Sequence, residues 1–174
     1  MEQVEISRRI QERFGERLRS CGEFCGQHFV VVDPGNLVEI LSFLRDESDL
    51  GMDMLIDVGG VDYLTHPEER AWRYEVAYQL YSLEHNHRFR VKVAVTDDTV
   101  SLPSLWEMWG VANWMEREVY DLFGLRFEGH PNLRRILCHD DFQGHALRKD
   151  YPINRRQRLE RPVENLLTDD PSWA

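Results

Sequence analysis

The residues best placed to do chemistry lie in WMEREVYD at positions 114–121, which sets three acids and an arginine on two helical turns. At 100° per residue, Trp114, Met115, Val119 and Leu122 span one side, and Glu118 falls among them. A carboxylate among apolar neighbours needs a partner or a shifted pKa. Glu118 is therefore expected to meet an arginine, from the C-terminal segment or from another subunit. Arg117 and Asp121 are i, i+4 neighbours and are expected to pair, or to sit as a solvated pair on the surface. Ion pairing is a better reading of this segment than general acid–base catalysis, because no nucleophile or metal set accompanies it.

A second pattern follows. Gly129-His130-Pro131-Asn132-Leu133-Arg134-Arg135 and Gly144-His145-Ala146-Leu147-Arg148-Lys149-Asp150-Tyr151 each run glycine, histidine, leucine, then two bases. Leucines beside arginines suit a recognition strand, with apolar anchors filling pockets and arginines fixing register. The bland alternative is a solvated charged loop. Metal chemistry is poorly supported. Seven histidines are scattered, no Cys-x-x-Cys occurs, and Cys21-x-x-x-Cys25 falls short of the four ligands that zinc or an iron–sulfur cluster takes. Glycine-rich phosphate loops and a serine nucleophile elbow are absent.

The elements that must position these residues read as helix, strand, helix, strands, helix and tail. Residues 2–19 have a helical apolar stripe, and Cys21 to Gly26 reads as a loop. Residues 28–32 form a short strand, and Asp33-Pro34 opens a helix whose apolar face carries Leu37, Ile40, Leu41 and Leu44. Strands are expected at 54–63, with a bulge at Gly59-Gly60, and at 71–82 and 87–95. Strict alternation in the last two predicts an antiparallel hairpin with one apolar and one wetter face. A helix is expected at 113–123, stopped by Gly124. This is an α+β fold, with helices packed on one face of a mainly antiparallel or mixed sheet. It divides into an α+β domain at 1–124 and an extended irregular tail at 125–174. Fifty unpatterned residues imply a functional segment or one held by a partner.

Composition bounds the function. The 174 residues carry 21 bases and 31 acids, a net charge of −10. Residues 126–161 hold nine bases against five acids, leaving −14 on the remainder, and 19 of the 21 bases are arginine. Arginine suits bidentate pairing at interfaces. The acidic remainder argues against nucleic-acid binding. No apolar run approaches the roughly 20 residues of a membrane span. The N-terminus is charged and helical in period, unlike a secretory signal, and an odd, low cysteine count reads as a reducing compartment.

Residues 113–152 closely resemble the signature of the 30 kDa subunit of respiratory complex I, the C subunit of bacterial NADH–quinone oxidoreductase. The family pattern maps without a gap onto Glu116, Arg117, Glu118, Asp121, Leu122, Phe123, His130 and Arg134. VDY at 61–63, residues 78–93 and Leu147 to Pro152 are also similar to it. The resemblance implies a non-redox structural subunit of the hydrophilic arm, peripheral on the cytoplasmic face of the membrane. It implies no cofactor in this chain, with FMN and iron–sulfur clusters in partner subunits, and contact with the 49 kDa-type subunit. Glu116, Arg117, Glu118 and Asp121 would organise the helix. Gly129, His130, Pro131, Arg134, Arg135, Arg148, Lys149, Asp150 and Tyr151 would dock the tail on partners. The equivalent subunit of a membrane-bound hydrogenase or other-donor complex is the alternative. A free-standing enzyme using the Glu/His cluster, or a regulatory module with an arginine tail, is more remote.

Overall fold

A computed structural model describes residues 3–67, 70–155 and 157. Arg156, Arg158 and Arg161 of the basic segment, and the tail from 158 onward, lie outside the described residues.

Helix α1 (Gln3–Phe14) is amphipathic and buries Ile6, Ile10 and Phe14. It ends five residues short of the position 19 that periodicity predicts. Strand β1 (Leu18–Phe24) occupies the segment read as helix end and loop, and pairs antiparallel with β2 (Gln27–Val32). Cys25 and Gly26 make the two-residue turn between them, both with positive φ. β1 is an outer strand with no fully buried side chain, so it shows no alternation; its pairing with β2 overrides helical propensity. After a 3₁₀ turn at Pro34–Asn36, helix α2 (Leu37–Asp46) buries Leu37, Ile40, Leu41 and Leu44.

Strands β3 (Met54–Asp62), β4 (Tyr74–Ser82) and β5 (His87–Val95) form an antiparallel meander, and β5 returns beside β2 in parallel. The five-stranded mixed sheet has the order β1-β2-β5-β4-β3. Val30 and Val32, Phe89, Val91, Val93 and Val95, Tyr74, Val76, Tyr78 and Leu80, and Leu55 and Val58 point to one face and join the helices in a single core. The opposite face is polar: Lys92 lies 3.0 Å from Glu75 and 4.2 Å from the Phe29 ring centroid, and Arg90 bonds Gln27.

The register break in β3 falls at Leu55/Asp57, not at Gly59-Gly60. Gly60 serves close approach instead. A Cβ there would stand 2.6 Å from the Phe123 ring, so only glycine lets the last helix pack this near the sheet.

Helix α3 (Ala112–Phe123) is carried between two short strands, β6 (Ser101–Pro103) and β7 (Arg126–Glu128), which pair in parallel. β7 lies within the stretch read as unpatterned. Three residues are too few to display a period, yet Leu125 and Phe127 join the core.

Candidate functional site

The two Gly-His blocks grip opposite ends of α3. In each, glycine turns the chain with a positive φ, and the following histidine reaches a helix carbonyl. His130 Nε2 donates to the Asn113 carbonyl at 3.0 Å, while its Nδ1 accepts the Asn132 amide at 3.0 Å. His145 Nδ1 donates to the Asp121 carbonyl at 2.9 Å. Burial, with Arg148 and Arg135 beside it, lowers the His145 pKa against the opposing effect of that bond, so the ring is held neutral.

Each block then sends one base inward and one outward. Arg135 donates to the Asp121 carboxylate at 2.8 Å and to the Gly144 carbonyl at 2.9 Å. Arg148 donates to the Phe123 carbonyl at 2.6 Å, satisfying an orphan acceptor at the helix end, and pairs with Asp98. Arg134 and Lys149 are exposed. Gly124 ends the helix with φ 77°, and a Cβ there would stand 2.4 Å from His145 and Arg148.

Asp121 is the centre of this clasp. It is fully buried, and one carboxylate oxygen accepts the amides of Ile136, Leu137 and Cys138 at 2.8–3.1 Å. Burial alone would raise its pKa; the Cys138 and Leu137 amides, the Arg135 guanidinium and the Ile136 amide outweigh it and bring it to about 2. The expected Arg117–Asp121 pair does not form. Arg117 points to the far side of the returning chain, donates to the Arg134 and Arg135 carbonyls, and lies 4.9 Å from the Trp114 ring centroid. Both residues hold the tail, but separately.

The buried glutamate of the signature is Glu116, not Glu118. Glu116 is fully buried and accepts the Ser104 hydroxyl at 2.5 Å and the Leu105 amide at 2.7 Å. Burial raises its pKa, the two hydrogen bonds offset this in part, and the result is about 7. It pins the start of the turn that leads into α3, where the Trp109 amide donates to the Leu105 carbonyl. Glu118 is exposed, as are Trp114 and Val111. The side that looks apolar on a helical wheel is thus split: Trp114 points outward, Met115 and Leu122 lie half-buried at its edge, and Val119 points inward with Ala112, Glu116 and Phe123. The wheel misleads because charged residues are buried and a tryptophan is not. Leu122 is half-buried against the core, and its carbonyl accepts the Leu147 amide at 3.0 Å.

A second fastening was missed in the sequence. Asp62, at the end of β3, accepts the Leu64 amide, two bonds from Arg73 and the Lys149 amide at 2.9 Å. Arg73 also pairs with Asp150 at 2.9 Å. Tyr151 stacks on Phe142 with ring centroids 5.5 Å apart. Asp62 and Lys149 are 87 positions apart, so no local pattern could join them. Gly129 and Pro131 are exposed at the first block, and the Gly129 carbonyl accepts Trp106 Nε1. Chemically the assembly is a clamp. Arg117, Asp121, His130, Arg135, His145 and Arg148 are engaged within the chain, largely on backbone groups, while Glu118, Arg134 and Lys149 face outward.

The family model described as "Respiratory-chain NADH dehydrogenase, 30 Kd subunit" matches residues 30–157. The NADH-quinone oxidoreductase C subunit of Citrifermentans bemidjiense is 43% identical over 150 residues, covering 86% of this chain and 89% of that protein. Its namesake in Geobacter metallireducens is 43% identical over 145 residues, covering 83% and 86%. Among solved structures, a trypsin-resistant fragment of Nqo5 superimposes with a TM-score of 0.64 at 36% identity, covering 74% of this chain and 98% of the fragment. A chain of an archaeal membrane-bound sulfane sulfur reductase shares the fold with a TM-score of 0.70 at 20% identity, covering 88% of each. With its α3 signature set between a five-stranded mixed sheet and the Gly-His clasp, the chain belongs to the 30 kDa subunit family of respiratory-chain NADH dehydrogenase, the C subunits of NADH–quinone oxidoreductases.

Proposed function

We propose that this chain is a non-redox structural and assembly subunit in the hydrophilic arm of a proton-translocating NADH:quinone oxidoreductase. It holds no cofactor of its own; FMN and the iron–sulfur clusters reside in partner subunits. Its partners are the 49 kDa-type subunit and neighbouring arm subunits, on the cytoplasmic side of the membrane. One observation carries the reading. Arg117 and Asp121 of the signature, with Arg135, His145 and Arg148, lock residues 130–151 against α3, and Glu118, Arg134 and Lys149 are left on the outside, which makes a rigid, charge-bearing surface rather than an open reaction centre. Among the described residues, no helix is long and apolar enough to cross a membrane.

The test is an affinity pull-down of the tagged chain from gently solubilised membranes. Recovery of flavin and iron–sulfur subunits with NADH-dependent quinone reduction supports the reading. A hydrogenase-type large subunit in their place would move the chain to a related complex, and recovery of the chain alone would overturn it.

A further inference from the structure

The clasp leaves one side of α3 open. Viewed down the axis, the helix is covered by the sheet on the side of Ala112, Glu116, Val119 and Phe123, and by the returning chain on the side of Arg117 and Asp121. Between them runs an exposed stripe of Trp114, Glu118 and Val111, edged by Leu122 and Met115, which are half-buried against the core, all within about 100° of arc. Trp114 is 62% exposed and Val111 44% exposed. A tryptophan left this open on a well-packed helix is an anchor without its pocket. It is also rigidly presented, because the Arg117 guanidinium lies over its ring while Arg117 itself is fixed to two carbonyls.

Glu118 stands within the stripe, and its side chain has no hydrogen bond or ion pair among the described residues. Arg117 cannot serve it, being committed to the Arg134 and Arg135 carbonyls. Whatever covers Trp114 and Val111 also takes water from Glu118. That is tolerable only if the covering surface brings a cation.

We infer that this stripe is the seat of a partner subunit's apolar segment bearing an arginine or lysine, with Trp114 as the buried anchor and Glu118 as the charge partner. The inference rests on the membership reading above and says where on this chain the contact is made. A second copy of the chain is disfavoured, since two-fold pairing of the stripe sets Glu118 near its own symmetry mate. An anionic lipid surface repels the same carboxylate.

The experiment uses the assembled complex. Trp114 is replaced by the photoreactive residue benzoyl-phenylalanine, and the complex is irradiated in native membranes and analysed by mass spectrometry. The expected result is a cross-link to one other subunit of the complex, at a segment containing arginine or lysine. Glu118→Lys should lower that yield by about tenfold, and Glu118→Asp should largely restore it. Glu118 is exposed and unpaired, so the isolated Glu118→Lys chain should melt as the unaltered one does. A cross-link to residues 158–174 of the same chain, to a second copy or to lipid overturns the inference, as does an unchanged yield in Glu118→Lys. If the chain co-purifies with the complex and no cross-link forms, the surface is wrong and membership stands. If the unaltered chain is absent from the complex, membership falls and the surface with it.

Discussion

Two carboxylates of the same helix, Glu116 and Asp121, titrate in opposite directions, and the reason is the company each keeps. Glu116 is buried with two hydrogen bonds and no cation beside it, which leaves its pKa near 7 against an ordinary 4.5. Its neutral form is the one that folding favours. The stability this contributes is full below about pH 4.5 and is lost as pH rises through 7, a change of about 3 kcal/mol. Asp121 is buried with three amides and a guanidinium, and its pKa falls to about 2. Its contribution is full above its unfolded value of 3.8 and is lost as pH falls toward 2. Between pH 5 and pH 8 this loss runs against the neutral rings of His145 and His87, whose lowered pKa values favour the fold as pH rises, so urea unfolding reads it as the difference between the unaltered chain and a Glu116 variant. Glu116→Gln, which keeps an acceptor for the Leu105 amide, should gain stability relative to the unaltered chain as pH goes from 5 to 8. Asp121→Asn should lower stability at both pH values and leave the change between them in place. Equal pH slopes in the unaltered chain and Glu116→Gln would refute the assignment.

At the scale of elements, α3 is less a free-standing amphipathic helix than a rod held at both ends. His130 and the Ser104 turn hold its start; His145, Arg148 and Gly124 hold its finish. Gly124 is the tightest of these joints, since it has a positive φ and also makes room for two side chains. Gly124→Ala should cost about 1–3 kcal/mol, from the strained φ and from displacing His145 and Arg148. The effect should be local: faster amide exchange at Leu147 and faster trypsin cleavage around Arg148, with little change in the central strands. Gly110→Ala, where a Cβ meets open space, is the control. Should both variants resist trypsin alike, the clasp would not depend on this joint.

Across the whole molecule, the sheet, the three helices and the first part of the tail form one packed unit, because Leu125 and Phe127 are as buried as the strand residues. A chain ended after Gly124 loses both anchors and the β6–β7 pairing. A chain ended after His130 keeps them. The chain ended after Gly124 should be less stable by about 5 kcal/mol, from two large buried side chains, and should melt many degrees lower. Equal melting temperatures would place the domain boundary at Gly124 after all. Residues 130–151 are a strap laid on this unit, fastened by Asp121 at one end of the run and Asp62 at the other.

Periodicity along the chain determined the hairpin of β4 and β5, the apolar face of α2, the stop of α3 at Gly124 and the layered α+β architecture. These depend on neighbours two to four positions away, and local spacing records them. The family was legible too, from the spacing of Glu116, Arg117, Glu118, Asp121, His130 and Arg134. Tertiary structure alone decided which acid is buried. Glu116 and Glu118 differ by two positions, and only the placement of the sheet and the returning strap determines which of them loses water. It also decided that β1 is a strand, since an outer strand of polar residues takes its conformation from backbone pairing with β2 rather than from a face it must bury. The Asp62–Lys149 and Asp121–Arg135 fastenings join distant segments, and their energy comes from burial that exists only once the chain has closed on itself.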